Sequence, residues 1–334
     1  MTTASIRRLA VIGAGAWGTA LAVLLRRNGH EVSLWARRAE LADRIAARRV
    51  NSDYLPGVAL DAAIGVTTNL ASAAGADAVL MAVPAQHLRE VATRLTGHVA
   101  STVPILLCAK GIERGSLLLM TEVAAEVLPG RPLAVLSGPT FAAEVARGLP
   151  TAATLATSDR GLSTRFVAAL GTRSFRPYLS DDPIGAEVGG AVKNVLAIAC
   201  GIVAGRGLGE NARAALITRG LAEITRLAIA KGGRAETLMG LSGLGDITLT
   251  CTSGTSRNTS LGMALGQGHP LAELLASRRS VAEGAFSAAP VVALAERLGV
   301  DMPIAQAVDA VLNRGADLSQ VIGDLLARPF TSES

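Results

Sequence analysis

Leu9-Ala-Val-Ile-Gly-Ala-Gly-Ala-Trp-Gly18 is a short apolar run that ends in a G-x-G-x-x-G turn. The run reads as a buried strand, Thr19 to Arg27 reads as a helix, and Glu31 to Trp35 reads as a second strand. Between a strand and a helix this glycine spacing has a mechanical meaning. Gly13 permits the tight turn, Gly15 lets a pyrophosphate approach the N–H groups at the helix start, and Gly18 lets the helix pack closely on the strand. Gly13, Gly15, Ala16, Trp17 and Gly18 are therefore the expected dinucleotide-binding residues of the turn. About twenty residues past the turn, where an acidic residue would bind the ribose of NAD, stand Arg37 and Arg38. Two guanidiniums suit a 2′-phosphate, so NADPH is the expected cofactor, with nearby Glu40 leaving NADH open.

Downstream the strand-then-helix rhythm repeats at Ile64 to Thr67, Ala78 to Val83 before Pro84, Pro104 to Cys108 before Lys110, and Leu133 to Leu136 before Ser137-Gly-Pro-Thr140. Ala152 to Ala156 and Ser174 to Tyr178 add two more strand-like pieces. This alternation predicts a doubly wound α/β domain with a mostly parallel sheet, over residues 1–183. Lys110 and Thr140 fall just past the carboxyl ends of strands, where open α/β sheets bind ligands.

After Asp181-Asp182-Pro183 helical patterns take over, Ala288 to Leu298 among them, predicting an all-α domain over 184–334. It opens with an apolar run, 187–204, in which Val188, Val192, Val195, Ala199 and Ile202 form one stripe. Lys193 falls on the opposite, small-residue face with Gly189, Gly190, Ala197, Cys200, Gly201 and Ala204. Small residues admit another backbone or a flat ligand, and a lone cation there needs something polar opposite. The run is read as too short for a membrane span, with its charge near the centre of any bilayer. Leu241-Ser-Gly-Leu-Gly-Asp246 is too glycine-rich for a helix on this reading, and Thr252 to Asn258 is a polar cluster before one. A helix start rich in Ser, Thr and Asn with an adjacent Arg suits a phosphate dianion, although such residues also cap helices without a ligand.

Half of the 334 residues are AVILMFWYC, enough for a sizeable core. The formal charge of +5 comes from dispersed arginines, and aromatics are only 3%, so an anionic small molecule is a better partner than nucleic acid. Cys108, Cys200 and Cys251 are odd in number and far apart, which fits reduced core cysteines in the cytoplasm. The four histidines share no metal-ligand spacing. Arg7-Arg8 followed by the apolar stretch from Leu9 to Leu25 imitates an export signal, but cleavage there would remove the first strand and the glycine turn.

Taken together, GAGAWG, AVPAQ, AKGIE, SGPTFAAEVARGLPTA, GGAVKNVLAIACGI, GLSGLGDITLTCTSGTSRN and VAEG resemble the bacterial NAD(P)-dependent glycerol-3-phosphate dehydrogenases, from residue 9 to about 300. The resemblance implies a Rossmann domain followed by a helical one, a homodimer, and interconversion of glycerone phosphate and sn-glycerol 3-phosphate for phospholipid synthesis. It implies catalysis by Lys193 and Asp246 with Lys110, and substrate contacts from Lys110, Gly138, Thr140, Asn194, Ser256, Arg257 and Asn258. Pro84, Lys110, Ala142, Arg257, Val281 and Glu283 would lie by the cofactor. Family members commonly read Glu-Gly-Val-x-Thr-Ala where this chain has Glu283-Gly-Ala-Phe-Ser-Ala288, a departure beside the cofactor. The nearest alternative enzyme is a 3-hydroxyacid or phosphogluconate dehydrogenase, which would take a carboxylate. A silent NADP-binding regulator would not need two lysines and an aspartate converging near the nicotinamide.

Overall fold

The computed structural model describes residues 6–277 and 283–329. Eight strands form one sheet: β1 (Arg8–Ile12), β2 (Glu31–Trp35), β3 (Gly65–Thr67), β4 (Ala78–Met81), β5 (Ile105–Leu107), β6 (Leu133–Ser137), β7 (Thr151–Ala156) and β8 (Phe175–Ser180). Their order is β3-β2-β1-β4-β5-β6-β7-β8, and every pairing is parallel except β6 with β7. Consecutive strands are connected by α1 (Ala16–Arg27), α2 (Ala39–Arg48), α3 (Leu88–Leu95), α4 (Met120–Val127), α5 (Ala142–Arg147) and α6 (Arg160–Leu170), except β3 and β4, which a 3-10 turn at Leu70–Ala73 joins.

The pleat of β1 shows why the strands read as continuous apolar runs. Leu9 and Val11 enter one core with α1 and α6, whereas Ala10 and Ile12 enter a second core with α3 and α4 on the opposite face. The stretch from Leu9 to Leu25 is thus β1 and most of α1, buried in the sheet layer. Sequence order reverses between β1 and β4, and the crevice beyond the strand ends at that point is the natural ligand position.

A third core belongs to the helices that follow: α7 (Pro183–Gly205), α8 (Glu210–Lys231), α9 (Ala235–Leu238), α10 (Asp246–Thr252), α11 (Arg257–Gly266), α12 (Leu271–Ser277), α13 (Glu283–Arg297), α14 (Pro303–Asn313) and α15 (Leu318–Leu326). α7 is its axis. Asp182 starts it by accepting from the Gly185 N–H at 2.9 Å, and Pro183 occupies the first turn, where a missing N–H costs nothing. At 23 residues and mean hydropathy 1.7, α7 is long and apolar enough to cross a membrane, so length does not exclude a span as the sequence suggested. In the fold 78% of that apolar stretch is buried against the rest of the protein, as in a core helix.

Two sequence expectations need correction. Leu241–Gly245 is a π-helical turn running directly into α10, although its glycines argued against helix. The glycines serve packing there, since a Cβ on Gly243 would overlap the Leu238 carbonyl and one on Gly189 of α7 would lie 2.5 Å from the Ser242 oxygen. α13 was expected from Ala288, yet it is already helical at Glu283, where Asn258 Oδ1 accepts from the Gly284 N–H at 3.0 Å.

Candidate active site

The small-residue face of α7 is divided among neighbours. Cβ atoms on Gly201 and Gly205 would overlap the carbonyls of Thr259 and Met263, so this end lies backbone to backbone on α11. Gly189 meets the π turn, and Gly190 faces the Ser137 hydroxyl and the stem of Lys110. Packing of helices on glycine therefore brings α10, α11 and the loop after β5 around one residue, Lys193.

Lys193 does not snorkel to water. Only 8% exposed, it donates to Asp246 Oδ1 at 2.5 Å and to Thr250 Oγ1 at 3.0 Å. Lys110, from just beyond β5, donates to the other carboxylate oxygen of Asp246 at 2.7 Å and to the Gly138 carbonyl at 2.9 Å. One carboxylate, 1% exposed, thus bridges two ammoniums. Burial pulls Lys193 down to about 8, helped by the positive charge of Lys110 and opposed by Asp246. Burial alone would push the Asp246 carboxyl up, but the two lysines outweigh it and hold it below the usual carboxylate range.

The other expected substrate residues line this centre with their bonds already committed. The Thr140 hydroxyl donates to the Gly138 carbonyl at 3.2 Å. Ser256 is the N-cap of α11 and accepts from the Thr259 N–H at 3.3 Å, the ordinary capping role. Asn258 donates to Asn194 Oδ1 at 2.8 Å and accepts from Gly284, so these two side chains join α7, α11 and α13. Glu187, on the same helix as Asn194, turns instead to α4 and accepts from the N–H and hydroxyl of Thr121 at 2.9 and 2.5 Å. Arg257 is exposed at the start of α11. Burial holds the Glu283 carboxyl above its ordinary range, against the opposing positive charges of Arg257, Lys193 and Lys110. Val281 lies outside the described residues. Thr250 escaped the sequence reading: four residues beyond Asp246 it shares a helix face with it, a spacing visible only if 246–252 is taken as helix.

The glycine turn fits a dinucleotide. Gly13 has φ +119°, and its Cβ would lie 2.6 Å from the Ala82 oxygen, while one on Gly18 would overlap the Gly13 carbonyl. A Cβ on Gly15 would meet nothing within 4 Å, so the protein's own packing does not demand glycine there. α1 begins at Ala16 with no side-chain cap and no acid in its first turn, leaving its N–H groups and dipole to an anion. Trp17 packs partly buried against the sheet core beneath the turn. Arg37 and Arg38 are exposed after β2; Arg38 reaches Tyr54 at 3.2 Å and Asp53 at 3.7 Å, whereas Arg37 has no such partner among the described residues. Exposed Pro84 starts the short 3-10 turn after β4, and Ala142 opens α5. No group of three or more His, Cys, Asp and Glu residues suited to a metal occurs among the described residues.

A glycine turn at the sheet's switch point, facing a buried lysine pair from the strand ends and the helical core, defines a nicotinamide-dependent dehydrogenase of the Rossmann-plus-helical kind. Family profiles described as the N-terminus and the C-terminus of NAD-dependent glycerol-3-phosphate dehydrogenase match residues 8–163 and 182–323. The chain is 56% identical to the NAD(P)-dependent glycerol-3-phosphate dehydrogenase of Parvibaculum lavamentivorans, over 99% of this chain and 100% of that one. The Rhodospirillum rubrum enzyme is 59% identical, over 98% and 94%. The crystal structure of glycerol-3-phosphate dehydrogenase from Coxiella burnetii superposes with TM-score 0.94 at 41% identity, covering 97% of this chain and 99% of that one. The chain belongs to the NAD(P)-dependent glycerol-3-phosphate dehydrogenase family, and its reaction interconverts glycerone phosphate and glycerol 3-phosphate.

Proposed function

We propose that Lys193 is the proton donor to the ketone oxygen of glycerone phosphate, and that Asp246 and Lys110 keep it charged and aimed. The observation that carries this is the Asp246 carboxylate shared between the two lysines in a buried site. When bound, the nicotinamide supplies the hydride. As the carbonyl oxygen gains negative charge, Lys193 releases the proton that becomes the product hydroxyl, and Lys110 adds positive potential beside it. Asp246 opposes the loss of Lys193's charge that burial favours. Gly138 and Thr140 shape the strand-end side of the substrate site, and Asn194 and Asn258 fix α7 and α11 around it. Arg257 with the α11 start takes the substrate phosphate, and the family resemblance gives the same residue a cofactor contact.

NADPH is the preferred cofactor on this reading, supported by the absence of an acid at Arg37 and Arg38. The division at 183/184 falls one residue inside α7, just past the link at 181–182 that follows β8; reduced cytoplasmic surroundings are supported by three buried free cysteines, and a homodimer and a role in phospholipid synthesis by the resemblance alone. The test is Lys193→Met. It should leave NADPH binding by fluorescence unchanged while turnover drops by roughly 10² to 10⁴, and near-normal turnover would remove Lys193 from the chemistry.

A further inference from the structure

Lys110 is followed by a strap, residues 111–119, that lies between the two halves of the protein. Ile112 and Leu119 close it through an isolated antiparallel bridge, and both are buried in the helical core although the segment belongs by sequence to the sheet. From the sheet side, Gln86 holds it by donating to the Ile112 carbonyl at 2.8 Å and accepting from the Arg114 N–H at 3.0 Å, and Arg89 grips Glu113 with two bonds of 2.9 and 2.8 Å. From the helical side, Arg297 of α13 donates to the Ser116 and Leu117 carbonyls at 3.2 and 3.4 Å. Near the start of α13, the Arg114 guanidinium lies 4.8 Å over the ring of Phe286.

Phe286 stands between Ala285 and Ser287, the two positions where the chain departs from the family's usual pattern, and at 36% exposure it is not held there by the core. One residue of Phe286's turn is tied to the residue beside the other lysine: Gly284 donates to Asn258, which donates to Asn194, next to Lys193. The first turn of α13 therefore touches the neighbour of Lys193 on one side and the strap behind Lys110 on the other. Gly111, between Lys110 and the strap, has little slack, because a Cβ there would lie 2.6 Å from that of Ala85.

We propose that Phe286 is a positioning residue for Lys110: its ring, under Arg114, seats the strap on α13 and so sets where Lys110 emerges beside Asp246. The proposal rests on the role given above to Lys110. A cation over an exposed aromatic face is a weak contact, so Phe286→Ala should lower kcat for glycerone phosphate reduction about two- to fivefold and leave the NADPH dissociation constant unchanged. Phe286→Tyr, which keeps the ring face, should retain the rate, and Phe286→Ala with Arg114→Ala should be no slower than either alone. In a Lys110→Ala background, Phe286→Ala should cause no further loss. A proportional loss in that background, or an unchanged rate for Phe286→Ala in the native one, overturns the proposal. Full turnover by Lys110→Ala alone would overturn the reading of Lys110 and the proposal with it, whereas a crippled Lys110→Ala beside an indifferent Phe286→Ala overturns only the proposal.

Discussion

At the scale of residues, the site is a balance between burial and charge around Lys193. Since its pKa is held near 8, kcat/KM for ketone reduction should be level below that pH and fall about tenfold per unit above it, because only the ammonium donates a proton. The reverse oxidation needs the neutral amine and should rise through the same pH. Asp246→Asn removes the charge that opposes burial, so it should move the break to lower pH as well as reduce the rate; a break that stays in place would mean that Asp246 does not tune Lys193. Arg257→Ala separates the two phosphates. If the guanidinium holds substrate, the mutant loses roughly ten- to 150-fold in kcat/KM for glycerone phosphate but little for unphosphorylated dihydroxyacetone. If that discrimination survives while NADPH binding collapses, Arg257 serves the cofactor. Lys193 was legible in the sequence because a lone cation on a small-residue face has few bland explanations. Thr250 and Gln86 were not, since a threonine or glutamine has many uses and only neighbours choose among them.

At the scale of elements, the site depends on how closely α11 approaches α7. Gly201→Ala would drive a methyl into the Thr259 carbonyl, and the helices must separate to admit it. The expected cost is about 1 to 3 kcal/mol, read as a lower urea midpoint, with a parallel loss of turnover because Thr259 also holds the Thr250 carbonyl at 2.6 Å beside Lys193. Gly254→Ala, with open space around its Cβ and no left-handed φ, is the control and should change neither. Equal midpoints for the two variants would contradict the close crossing. Strands and long helices were readable from periodicity, because burial on one or both faces writes itself into the order of apolar residues. The π turn at Leu241–Gly245 was not, since Gly243, which weakens a local helix, is what lets the turn press on α9, and the approach to α7 depends on Gly189 of the distant helix.

At the scale of the whole molecule, Glu187 joins the halves, with its carboxylate on the start of α4 and its backbone in the helix that carries Lys193. Burial pushes its carboxyl up to about 7 from an ordinary 4.5, against the opposing Thr121 bonds. A carboxyl with a raised folded pKa contributes its full stability below about 4.5 and loses it as the pH rises through 7. Between those limits, Glu187→Gln should therefore gain stability relative to the native chain by on the order of a few kcal/mol, measured by urea unfolding at each pH. A flat difference would show that Glu187 is ionised throughout in the fold. What the sequence by itself determined was the mostly parallel sheet, the glycine turn between β1 and α1, the switch to helices at Pro183 and the placement of Lys110 past a strand end and Lys193 on a small-residue helix face, because each is written in local spacing or residue type. Only the tertiary structure decided that one carboxylate serves both lysines, that Ser256 and Asn258 spend their bonds on α11, α7 and α13, and that the segment after Lys110 lies in the helical core. Apart from the local Ser256 cap, those facts depend on groups from 26 to 136 residues apart meeting across packed elements, and local periodicity carries no record of such meetings.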